Sequence, residues 1–431
     1  MNNRKINLAI IGFGNIGGYF YKTLNSQKRR IELKTNKNFV IKYVCAKNLK
    51  RKRKIKIPKK LWNNNPLSVC KKDDVDVIIE LIGGAEGMAK KVVFTALKNK
   101  KHVITANKSL IAKYGDTLSK IAEKNKVNLE YEASVAGGVP IIRSIKNSLV
   151  GNKMNKIYGI LNGTTNFILS EMEKNNKDFA AVLSEAKKLG FAESNPTSDL
   201  NGDDAADKIR ILSALAFNKT ISKNKILTSG IQNINLNDIK HARGLGYKIK
   251  LLGISEIRNN KLIQRVHAAL IPKKSYMANI NGVLNAIIID AKPVGRMVIQ
   301  GEGAGPGPTT SSLISDLCSV LRGNIKYPFG ISHKLRKKID NFNILKHISS
   351  SYIRIDVKDQ SGVLSSITKS FAKNKISIKN LIQTPDKKSR KASIAIITHE
   401  SFEKNFQNLI RNLYRNKYVI NKPTFIRIEK V

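Results

Sequence analysis

Short apolar runs separated by helical segments open the chain. Residues 6–12 (INLAIIG) form a continuous apolar run that ends at a glycine, as expected of a strand buried on both faces. The same character returns at 39–45, 75–81 and 102–105, and a helix is predicted over 88–98. This alternation predicts an α/β fold with a parallel, doubly wound sheet and right-handed crossovers.

The pattern changes after about residue 135, where glycine-rich turns alternate with long amphipathic helices. Helices are predicted over 179–190 and 203–217, each with an apolar stripe on one face. These features predict a second domain of the α+β class. A glycine- and proline-rich stretch within 301–317 then leads into another helix, with Thr309 or Thr310 as the candidate N-cap.

A third region follows a connector at 331–350 that is rich in charge and poor in periodicity. From residue 351 onward the pattern is strand, helix, two strands, helix and strand. This βαββαβ order is that of the ferredoxin-like fold. We therefore expect a small ferredoxin-like domain at the end of the chain.

Composition and charge change this picture little. The 431 residues are 41% apolar, which suffices for several cores, and carry a formal charge of +47. Lysines are spread along the chain, and the one dense run, at 47–60, has no interleaved aromatic residues for stacking on bases. We interpret this run first as a solvated loop, second as a contact with a cofactor phosphate and third as a nucleic-acid patch. We expect no nucleic-acid partner.

Nothing in the sequence predicts export or membrane insertion. The first residues contain only a short apolar run that ends in glycines, which is typical of neither a signal peptide nor a membrane span. Cys45, Cys70 and Cys318 lie far apart without C-x-x-C spacing, so neither a disulfide framework nor a zinc knuckle is indicated. We expect a cytoplasmic protein, not bound to membranes, with reduced cysteines.

The first strand leads directly into GFGNIG, a G-x-G-x-x-G motif. Between a buried strand and a helix, this motif is typical of dinucleotide binding in Rossmann-type folds. Its glycines allow a tight turn, close approach of the backbone to the pyrophosphate, and close packing of helix on strand. A simple tight turn is the alternative. The predicted cofactor-binding residues are Gly12, Phe13, Gly14, Asn15, Ile16 and Gly17.

The end of the second strand bears on the choice of cofactor. NAD sites usually place an Asp or Glu there for the ribose hydroxyls, but this chain has Ala46, Lys47 and Asn48. A cation suits the 2′-phosphate of NADP, so we favour NADP with Lys47 as its contact. NAD remains the alternative if Lys47 is only the first residue of the basic run.

Two lysines and a group of acids are candidates for chemistry. Lys108 follows the strand at 102–105, so it falls at the carboxyl edge of the sheet, where such proteins bind ligands. Acids are concentrated in 192–208, where Asp204 and Lys208, four residues apart, share a helix face. An ammonium group can protonate an oxygen that becomes negative, and carboxylates can bind an amine. A surface lysine and an ordinary helix salt bridge are the alternatives.

Several motifs, in order along the chain, resemble those of homoserine dehydrogenases from end to end. Together they are far more specific than one glycine loop. They are GFGNIGG (12–18), VDVIIELIGG (75–84), KHVITANKSLIA (101–112), YEASVAGGVPII (131–142), GILNGTTNFIL (159–169), EAKKLGFAESNPTSDLNGDDAADK (185–208) and GEGAGPGPTTSSLISDL (301–317).

The resemblance implies roles for the candidate residues. Lys208 is similar to the lysine that protonates the carbonyl oxygen, and Lys108 to the one that contacts both cofactor and substrate. Glu193, Asp199 and Asp204 match the carboxylates around the homoserine amino group. The implied reaction is the reversible, NAD(P)H-dependent reduction of aspartate 4-semialdehyde to homoserine, in the biosynthesis of threonine, methionine and isoleucine.

The resemblance also implies contacts around the nicotinamide and a bound cation. Gly190 and Gly305 fall at motif positions near the nicotinamide cofactor. The segment EASVAGGV matches a loop for a monovalent cation, sodium, which oxygen ligands suit. Its implied ligands are Glu132 and the carbonyl groups of Val135, Gly137 and Val139.

The tail resembles an ACT domain, with the turn D-x-x-G-V-L at 359–364. An ACT domain implies feedback by an amino acid, here threonine, and the family implies a homodimer or homotetramer. Glu302 and the basic run at 47–60 depart from the family pattern. The implied divisions are a dinucleotide-binding domain (1–133, completed by about 303–330), a catalytic and dimerisation domain (134–302), a linker (331–350) and an ACT regulatory domain (351–431).

Three other interpretations compete with this one. An acylating semialdehyde dehydrogenase would share the cofactor domain and the substrate, but it needs a cysteine nucleophile beside a base, and none of the three cysteines fits that role. A nucleic-acid-binding regulator would use the positive charge and the ACT-like tail. The third is an enzyme whose tail no longer binds a ligand.

Overall fold

In the computed structural model of the protein, residues 5–48, 53, 55–386 and 389–431 are described. The basic run at 47–60 therefore lies partly outside the described residues. The first part of the chain alternates strands and helices. Its elements are β1 (Ile6–Ile11), α1 (Asn15–Ser26), α2 (Lys28–Thr35), β2 (Phe39–Cys45), β3 (Trp62–Asn63), α3 (Pro66–Val69), β4 (Val77–Glu80), α4 (Met88–Lys98), β5 (His102–Thr105), α5 (Lys108–Lys124) and β6 (Leu129–Glu130).

These strands form one sheet in the order β3-β2-β1-β4-β5-β6. Neighbouring strands are parallel throughout, and the order is that of dinucleotide-binding folds. The predicted doubly wound sheet is confirmed. The strands and the helix predicted in this part agree with the observed bounds to within two residues at each end.

The middle of the chain combines helices with a second, mostly antiparallel sheet. Its strands follow the order β12-β11-β7-β9-β10. Ile209 and Leu212 of α10 share a hydrophobic core with Leu251 of β9, so this helix is fixed against the sheet. The elements are α6 (Ile141–Arg143), β7 (Lys153–Ile160), α7 (Gly163–Asn175), α8 (Phe179–Lys188), α9 (Thr197–Leu200), α10 (Asp203–Ala216), β8 (Leu227–Ser229), α11 (Leu236–Gly244), β9 (Tyr247–Arg258), β10 (Lys261–Pro272), β11 (Leu284–Lys292), β12 (Gly295–Glu302) and α12 (Pro306–Leu321).

Helix α12 returns to the first sheet. Leu313 and Leu317 lie in one hydrophobic core with Leu8 of β1. The expectation that Thr309 or Thr310 caps this helix is wrong, because the helix begins at Pro306 with Gly305 as its N-cap residue. Proline is favoured at the first helical position since its fixed φ suits the helix and its missing N–H has no partner to lose there.

The C-terminal part has the predicted βαββαβ order. Its main strands follow the order β17-β13-β15-β14, and β17 also pairs with β10 of the middle sheet. One continuous sheet therefore joins the two parts, which the sequence pattern did not predict. The elements are β13 (Ile348–Lys358), α13 (Val363–Lys373), β14 (Ile378–Pro385), β15 (Lys391–Thr398), β16 (Ser401–Phe402), α14 (Glu403–Tyr414) and β17 (Thr424–Ile428).

The segment between α12 and β13 packs against earlier parts of the chain. Arg336 is buried, and its guanidinium donates to the carbonyl of Lys219 and lies 2.8 Å from Asp116. The guanidinium also stacks 3.9 Å from the ring centre of Phe329. Residues 331–350 are thus held by specific contacts. Among the described helices, none has the length and apolar character needed to cross a bilayer.

Candidate active site

The G-x-G-x-x-G turn joins β1 to α1 with little space for side chains. Gly12 has a φ of +106°, and a Cβ atom there would lie 2.5 Å from the carbonyl oxygen of Leu81. A Cβ atom at Gly17 would lie 2.2 Å from the carbonyl oxygen of Gly12. At Gly14, by contrast, the described chain leaves 4 Å of free space around the Cβ position. A tight turn with an open backbone before a helix N-terminus is what a dinucleotide pyrophosphate requires.

The other residues of this turn differ in orientation. Phe13 is buried, and its ring makes edge contacts with Tyr21 and Trp62 at centroid distances of 5.9 and 5.6 Å. The side chain of Phe13 therefore packs in the core, and only its backbone is available to a cofactor. Asn15 is exposed, and Ile16 lines the cleft described next.

A cleft of about 680 Å³ lies between the dinucleotide-type sheet and the middle domain. It is bordered by the start of α1, the starts of α5, α7 and α12, the loop before α9, and α10. The predicted site residues that line it are Ile16, Lys108, Gly137, Gly190, Glu193, Asp199, Asp204, Lys208 and Gly305. The predicted site residues outside its lining are Gly12, Phe13, Gly14, Asn15, Gly17, Lys47, Glu132, Val135 and Val139.

One carboxylate joins two lysines in this cleft. Asp204 Oδ2 lies 2.8 Å from Nζ of Lys208, and Oδ1 lies 3.0 Å from Nζ of Lys108. Lys208 also donates to the carbonyl oxygen of Leu161 at 2.6 Å. The Lys208 side chain is 10% exposed, whereas that of Lys108 is 39% exposed. The site therefore holds one buried ammonium group and one that is partly open to solvent.

The local sequence explains where these lysines lie. Helix α5 begins at Lys108 because the Asn107 side chain accepts a hydrogen bond from the backbone N–H of Leu110, the usual N-cap contact. The Asn107 amide also donates to the carbonyl of Gly84, which ties the cap to the loop after β4. On α10, Asp204 and Lys208 are four residues apart and meet on one face.

Asn162 is a site residue that the sequence analysis missed. Its side-chain NH2 group donates to Asp199 Oδ1 and to Asp204 Oδ2, both at 2.8 Å. Its side-chain oxygen, Oδ1, accepts from the backbone N–H of Thr165, which makes Asn162 the N-cap of α7. Because the cap fixes the amide orientation, the NH2 group is held toward the two carboxylates. The available sequence signal was the Asn itself, a favoured N-cap residue, directly before GTTNF.

Charge interactions set different pKa values for the two carboxylates. Burial would raise the pKa of Asp204, but the ammonium groups of Lys208 and Lys108 outweigh it and hold that pKa well below its usual range. For Asp199, burial and repulsion from Asp204 raise the pKa. Burial acts to lower the pKa of Lys108, but the Asp204 carboxylate reverses the effect and raises it. The site thus keeps Asp204 ionised and Lys108 protonated.

The loop after α8 forms one side of the cleft. Gly190 has a φ of +77°, a conformation that glycine adopts readily. The Thr164 hydroxyl donates to the carbonyl of Phe191 at 2.6 Å, so this loop is attached to the start of α7. Glu193 lines the cleft with an exposed side chain, which places it at the opening.

The loop proposed for a cation turns tightly between β6 and α6. Ala136 and Gly137 both have positive φ values, 55° and 49°. The Gly137 carbonyl accepts from Ser312 Oγ at 2.6 Å, and the Val139 carbonyl accepts from the N–H of Ile141 at 2.8 Å. Each carbonyl oxygen has a second lone pair, so the main chain of this loop fits oxygen ligation.

Glu132 has a different environment from the carbonyl groups. Its carboxylate accepts from the backbone N–H groups of Ile142 and Arg143 at 2.9 and 2.7 Å. Both oxygens are thus engaged at the start of α6. Burial raises the pKa of this carboxyl although both amides stabilise its charged form. Within the described residues, no group of three or more His, Cys, Asp or Glu side chains forms a metal cluster.

Basic groups meet at the end of β2. Lys47 is exposed two residues after that strand. The Arg53 guanidinium donates to the carbonyl of Asn48 and lies 5.0 Å from the Trp62 ring centre. Residues 49–52 and 54 of the basic run lie outside the described residues. The described part of the run therefore brings positive charge to the end of the second strand.

The three cysteines are not part of the cleft lining. Burial raises the pKa of the Cys45 and Cys70 thiols to about 12, and it also raises the pKa of Cys318. None of these three described residues lines the cleft. A thiolate nucleophile for an acylating dehydrogenase is therefore lacking at this site, since reactive cysteines need a low pKa and access.

The parallel sheet, the glycine turn and the lysine- and acid-lined cleft together define a dehydrogenase-type oxidoreductase that uses a dinucleotide. Comparisons with known proteins support this class. Residues 12–132 match the family model "Homoserine dehydrogenase, NAD binding domain", residues 140–318 match "Homoserine dehydrogenase", and residues 351–415 match "ACT domain".

Relatives and solved structures agree over nearly the whole length. The homoserine dehydrogenase of Neisseria gonorrhoeae is 36% identical and that of Bacillus subtilis 35% identical, each over 99% of both chains. A crystal structure of a homoserine dehydrogenase from Thiobacillus denitrificans superposes with a TM-score of 0.90 at 33% identity, over 99% of both chains. The chain belongs to the homoserine dehydrogenase family. It is an NAD(P)-dependent oxidoreductase with a C-terminal ACT domain.

Proposed function

We propose that this protein catalyses the reversible reduction of L-aspartate 4-semialdehyde to L-homoserine, a step in the biosynthesis of threonine, methionine and isoleucine. The observation that carries the proposal is the Asp204 carboxylate, which joins Lys208 and Lys108 inside the cleft. Ile16 and Gly305 line the same cleft. The dinucleotide turn and the proposed proton donor therefore both border the same cleft.

The nicotinamide cofactor, when bound, supplies or takes up the hydride. We assign Lys208 as the proton donor to the substrate carbonyl oxygen. Its ammonium group is oriented by the Asp204 carboxylate and the Leu161 carbonyl. A fixed donor at the oxygen that becomes negative lowers the barrier to reduction. In homoserine oxidation the neutral amine of Lys208 takes the hydroxyl proton and becomes the ammonium group.

The acids of the cleft bind the substrate amino group in this proposal. Asp199 lines the cleft, and its Oδ1 is already held by the Asn162 amide, which leaves Oδ2 for the substrate. Glu193 reaches the same group from the opening, and Asp204 adds charge. Lys108, partly exposed at the start of α5, contacts the cofactor and the substrate carboxylate. Gly190 and Gly305 allow the backbone to approach the nicotinamide.

NADP is the proposed cofactor, with NAD as the alternative. Lys47 and Arg53 bring two cations to the end of β2, where the ribose of a dinucleotide lies in folds of this strand order. A 2′-phosphate suits cations at that point. Gly12, Phe13, Gly14, Asn15, Ile16 and Gly17 are the proposed residues of the pyrophosphate turn.

We also propose a monovalent cation, sodium, at the loop between β6 and α6. Glu132 and the carbonyl oxygens of Val135, Gly137 and Val139 would hold it, and the Glu132 carboxylate also anchors the loop through the amides of α6. The cation would stabilise the strand-to-helix loop beside the cleft. Exchange of sodium for tetramethylammonium should then lower the melting temperature of the protein, because that ion is too large for a carbonyl site.

Regulation and assembly complete the proposal. The ACT family match supports feedback by an amino acid, threonine. β12 and β14 form the two ends of the joined sheet, and such edges favour pairing with a second copy, which supports a homodimer or homotetramer.

The packing of α12 with Leu8 supports the proposed domain division. The first domain is 1–133, completed by about 303–330. It is followed by the catalytic and dimerisation domain (134–302), the connector (331–350) and the regulatory domain (351–431).

One assay tests the proposed function. Purified protein is given homoserine with NADP or NAD, with and without threonine, and formation of the reduced cofactor is followed. We expect homoserine-dependent reduction, faster with NADP, that threonine lowers. Absence of homoserine-dependent reduction with both cofactors would contradict the proposal.

A further inference from the structure

We propose that Glu80 is a positioning residue, which fixes the start of α5 and therefore Lys108 through hydrogen bonds at the carboxyl ends of β4 and β5. The proposal rests on the dehydrogenase function proposed above. Glu80 is the last residue of β4 and lies outside the lining of the catalytic cleft. A dinucleotide crosses the sheet edge where the strand order reverses, with one ribose at the end of β2. Its nicotinamide half is then expected over the ends of β4 and β5, on the other side of β1.

The Glu80 side chain is a fully buried carboxylate that is held by neutral donors. Its Oε1 accepts from the backbone N–H groups of Ile82 and Gly83 at 2.7 and 3.1 Å, and its Oε2 accepts from Thr105 Oγ1 at 2.6 Å. Burial of a carboxylate is costly, and an apolar side chain would avoid that cost. Glu80 therefore adds to the sheet what an apolar residue cannot, a fixed acceptor for the loop after β4 and for Thr105.

Thr105 transmits this geometry to helix α5. It is the last residue of β5 and is fully buried. A hydroxyl group has one hydrogen and two lone pairs. Since the hydrogen of Thr105 is donated to Glu80, a lone pair is left to accept from the backbone N–H of Asn107 at 3.0 Å. Asn107 is the N-cap residue of α5, so the place and direction in which the helix starts depend on this hydrogen bond.

The loop after β4 is attached at a second point. The Asn107 side-chain NH2 group donates to the carbonyl of Gly84 at 2.7 Å, next to the residues whose N–H groups Glu80 accepts. Gly83 and Gly84 both have positive φ values, 83° and 81°, so the loop turns sharply here. The contacts from Glu80 through Thr105 and Asn107 to Gly84 close a ring with the loop itself. The loop and the start of α5 are therefore held as one unit.

Helix α5 meets α10 through its first two residues. Nζ of Lys108 lies 3.0 Å from Asp204 Oδ1, and Ser109 Oγ donates to Asp207 Oδ2 at 2.8 Å. Both acids lie near the start of α10. The Lys108 side chain is 39% exposed, so packing alone does not fix its ammonium group. Its position depends on where α5 begins, and a displacement of about 1 Å in an active site can lower a rate about 100-fold.

Thr105→Val removes the hydroxyl group and keeps the shape of the side chain. We expect kcat/KM for homoserine to fall about tenfold or more, with NADPH affinity close to that of the wild type because the pyrophosphate turn is unchanged. Thr105→Ser returns the hydroxyl group and should restore most of the lost activity. Thr398→Val is the matched control, since Thr398 is also fully buried at the end of a strand, β15, and accepts the N–H of Ser351 at 3.1 Å. It should lower the melting temperature to a similar degree and keep the wild-type kcat/KM.

Glu80→Gln tests the carboxylate itself in a side chain of the same size. An amide nitrogen in place of Oε2 cannot accept the Thr105 hydrogen, so kcat/KM should fall here too. A double-mutant cycle then tests whether the effect passes through Lys108. In the Lys108→Gln background, Thr105→Val should lower kcat/KM by no more than about twofold, since the effects of residues that act through one group are not additive.

Two results in an enzyme that oxidises homoserine would overturn the positioning role of Glu80 and leave the proposed function intact. One is a wild-type kcat/KM in both Thr105→Val and Glu80→Gln. The other is a loss from Thr105→Val that is as large in the Lys108→Gln background as in the wild type, which would show that these hydrogen bonds stabilise the sheet without positioning Lys108. If the wild type oxidised no homoserine, the proposed function would fail, and the role of Glu80 with it.

Discussion

Nζ of Lys108 lies 3.0 Å from Oδ1 of Asp204. This contact joins the first residue of α5, in the dinucleotide-type domain, to α10 of the middle domain. Because Asp204 also holds Lys208, the cofactor side and the substrate side of the cleft share one carboxylate. The relative position of the two domains therefore sets whether Lys108 reaches the carboxylate that orients the proposed proton donor.

Replacement of Asn162 should disturb catalysis more than folding. In Asn162→Ser the hydroxyl can still cap α7, but the NH2 group that joins Asp199 to Asp204 is lost. We expect kcat/KM for homoserine to fall about tenfold, with a melting temperature close to that of the wild type. The tenfold figure corresponds to loss of hydrogen bonds to charged groups worth about 1.5–3 kcal/mol, partly replaced by water.

Asn162→Ala is the matched comparison for the cap. It removes both functions, so it should show the same loss of kcat/KM and also a loss of about 1 kcal/mol in the free energy of unfolding. Steady-state kinetics and thermal unfolding measure the two effects. If Asn162→Ser retained kcat/KM within about twofold of the wild type, the amide bridge would have no part in positioning the acids.

Replacement of Lys47 by Glu should shift cofactor preference from NADP toward NAD. A carboxylate at the end of β2 would repel a 2′-phosphate and accept hydrogen bonds from the ribose hydroxyls instead. We expect the ratio of kcat/KM for NADP over NAD to fall about tenfold or more, since a charge-assisted contact is worth about 1.5–3 kcal/mol. Lys37→Glu, exposed just before the other end of β2, is the control. An unchanged ratio in Lys47→Glu would exclude Lys47 as the phosphate contact.

Lys250 should make the stability of the protein depend on pH in the alkaline range. Its side chain is buried, and Nζ donates to neutral oxygens of Asn166, Ile280 and Asn281. Burial lowers its pKa to about 7. Between that value and the unfolded value of about 10.4, the unfolded chain binds more protons than the folded protein, so stability should rise with pH.

The pH effect can be measured by urea unfolding between pH 7 and 10. The Lys250 contribution should amount to at most about 1.4 kcal/mol per pH unit. Lys250→Met should remove this rise, whereas Lys261→Gln, at an exposed end of β10, should leave it in place. A Lys250→Met protein with the wild-type pH slope would show that the Lys250 ammonium group is stabilised as well in the fold as in water.

The features predicted from sequence depend on neighbouring residues. The turn from Gly12 to Gly17 was predicted because its motif is contained in six positions, and both the positive φ of Gly12 and the close approach of Gly17 to the Gly12 carbonyl are local. Asp204 and Lys208 were placed on one helix face because a helix brings residues four apart together. In both cases the local conformation was enough to fix the geometry.

The features that were not predicted depend on contacts between distant segments. The Asn162 side chain reaches Asp199 and Asp204 only because the fold brings the start of α7 beside α9 and the start of α10. The pairing of β17 with β10 involves two residue pairs, which leaves no pattern in either strand. The start of α12 at Pro306 was misplaced because two threonines offered a plausible cap, while the proline and the preceding glycine decided the start.

The role of Lys208 is tested most directly by homoserine oxidation in Lys208→Ala, measured beside NADPH binding. We expect turnover to fall at least about 100-fold, the lower range for loss of a general acid or base, with NADPH affinity nearly unchanged. Lys208→Arg should be equally inactive, since its guanidinium restores the charge beside Asp204 but does not give up a proton. Turnover close to the wild-type rate in Lys208→Ala would contradict the assignment of Lys208 as the proton donor.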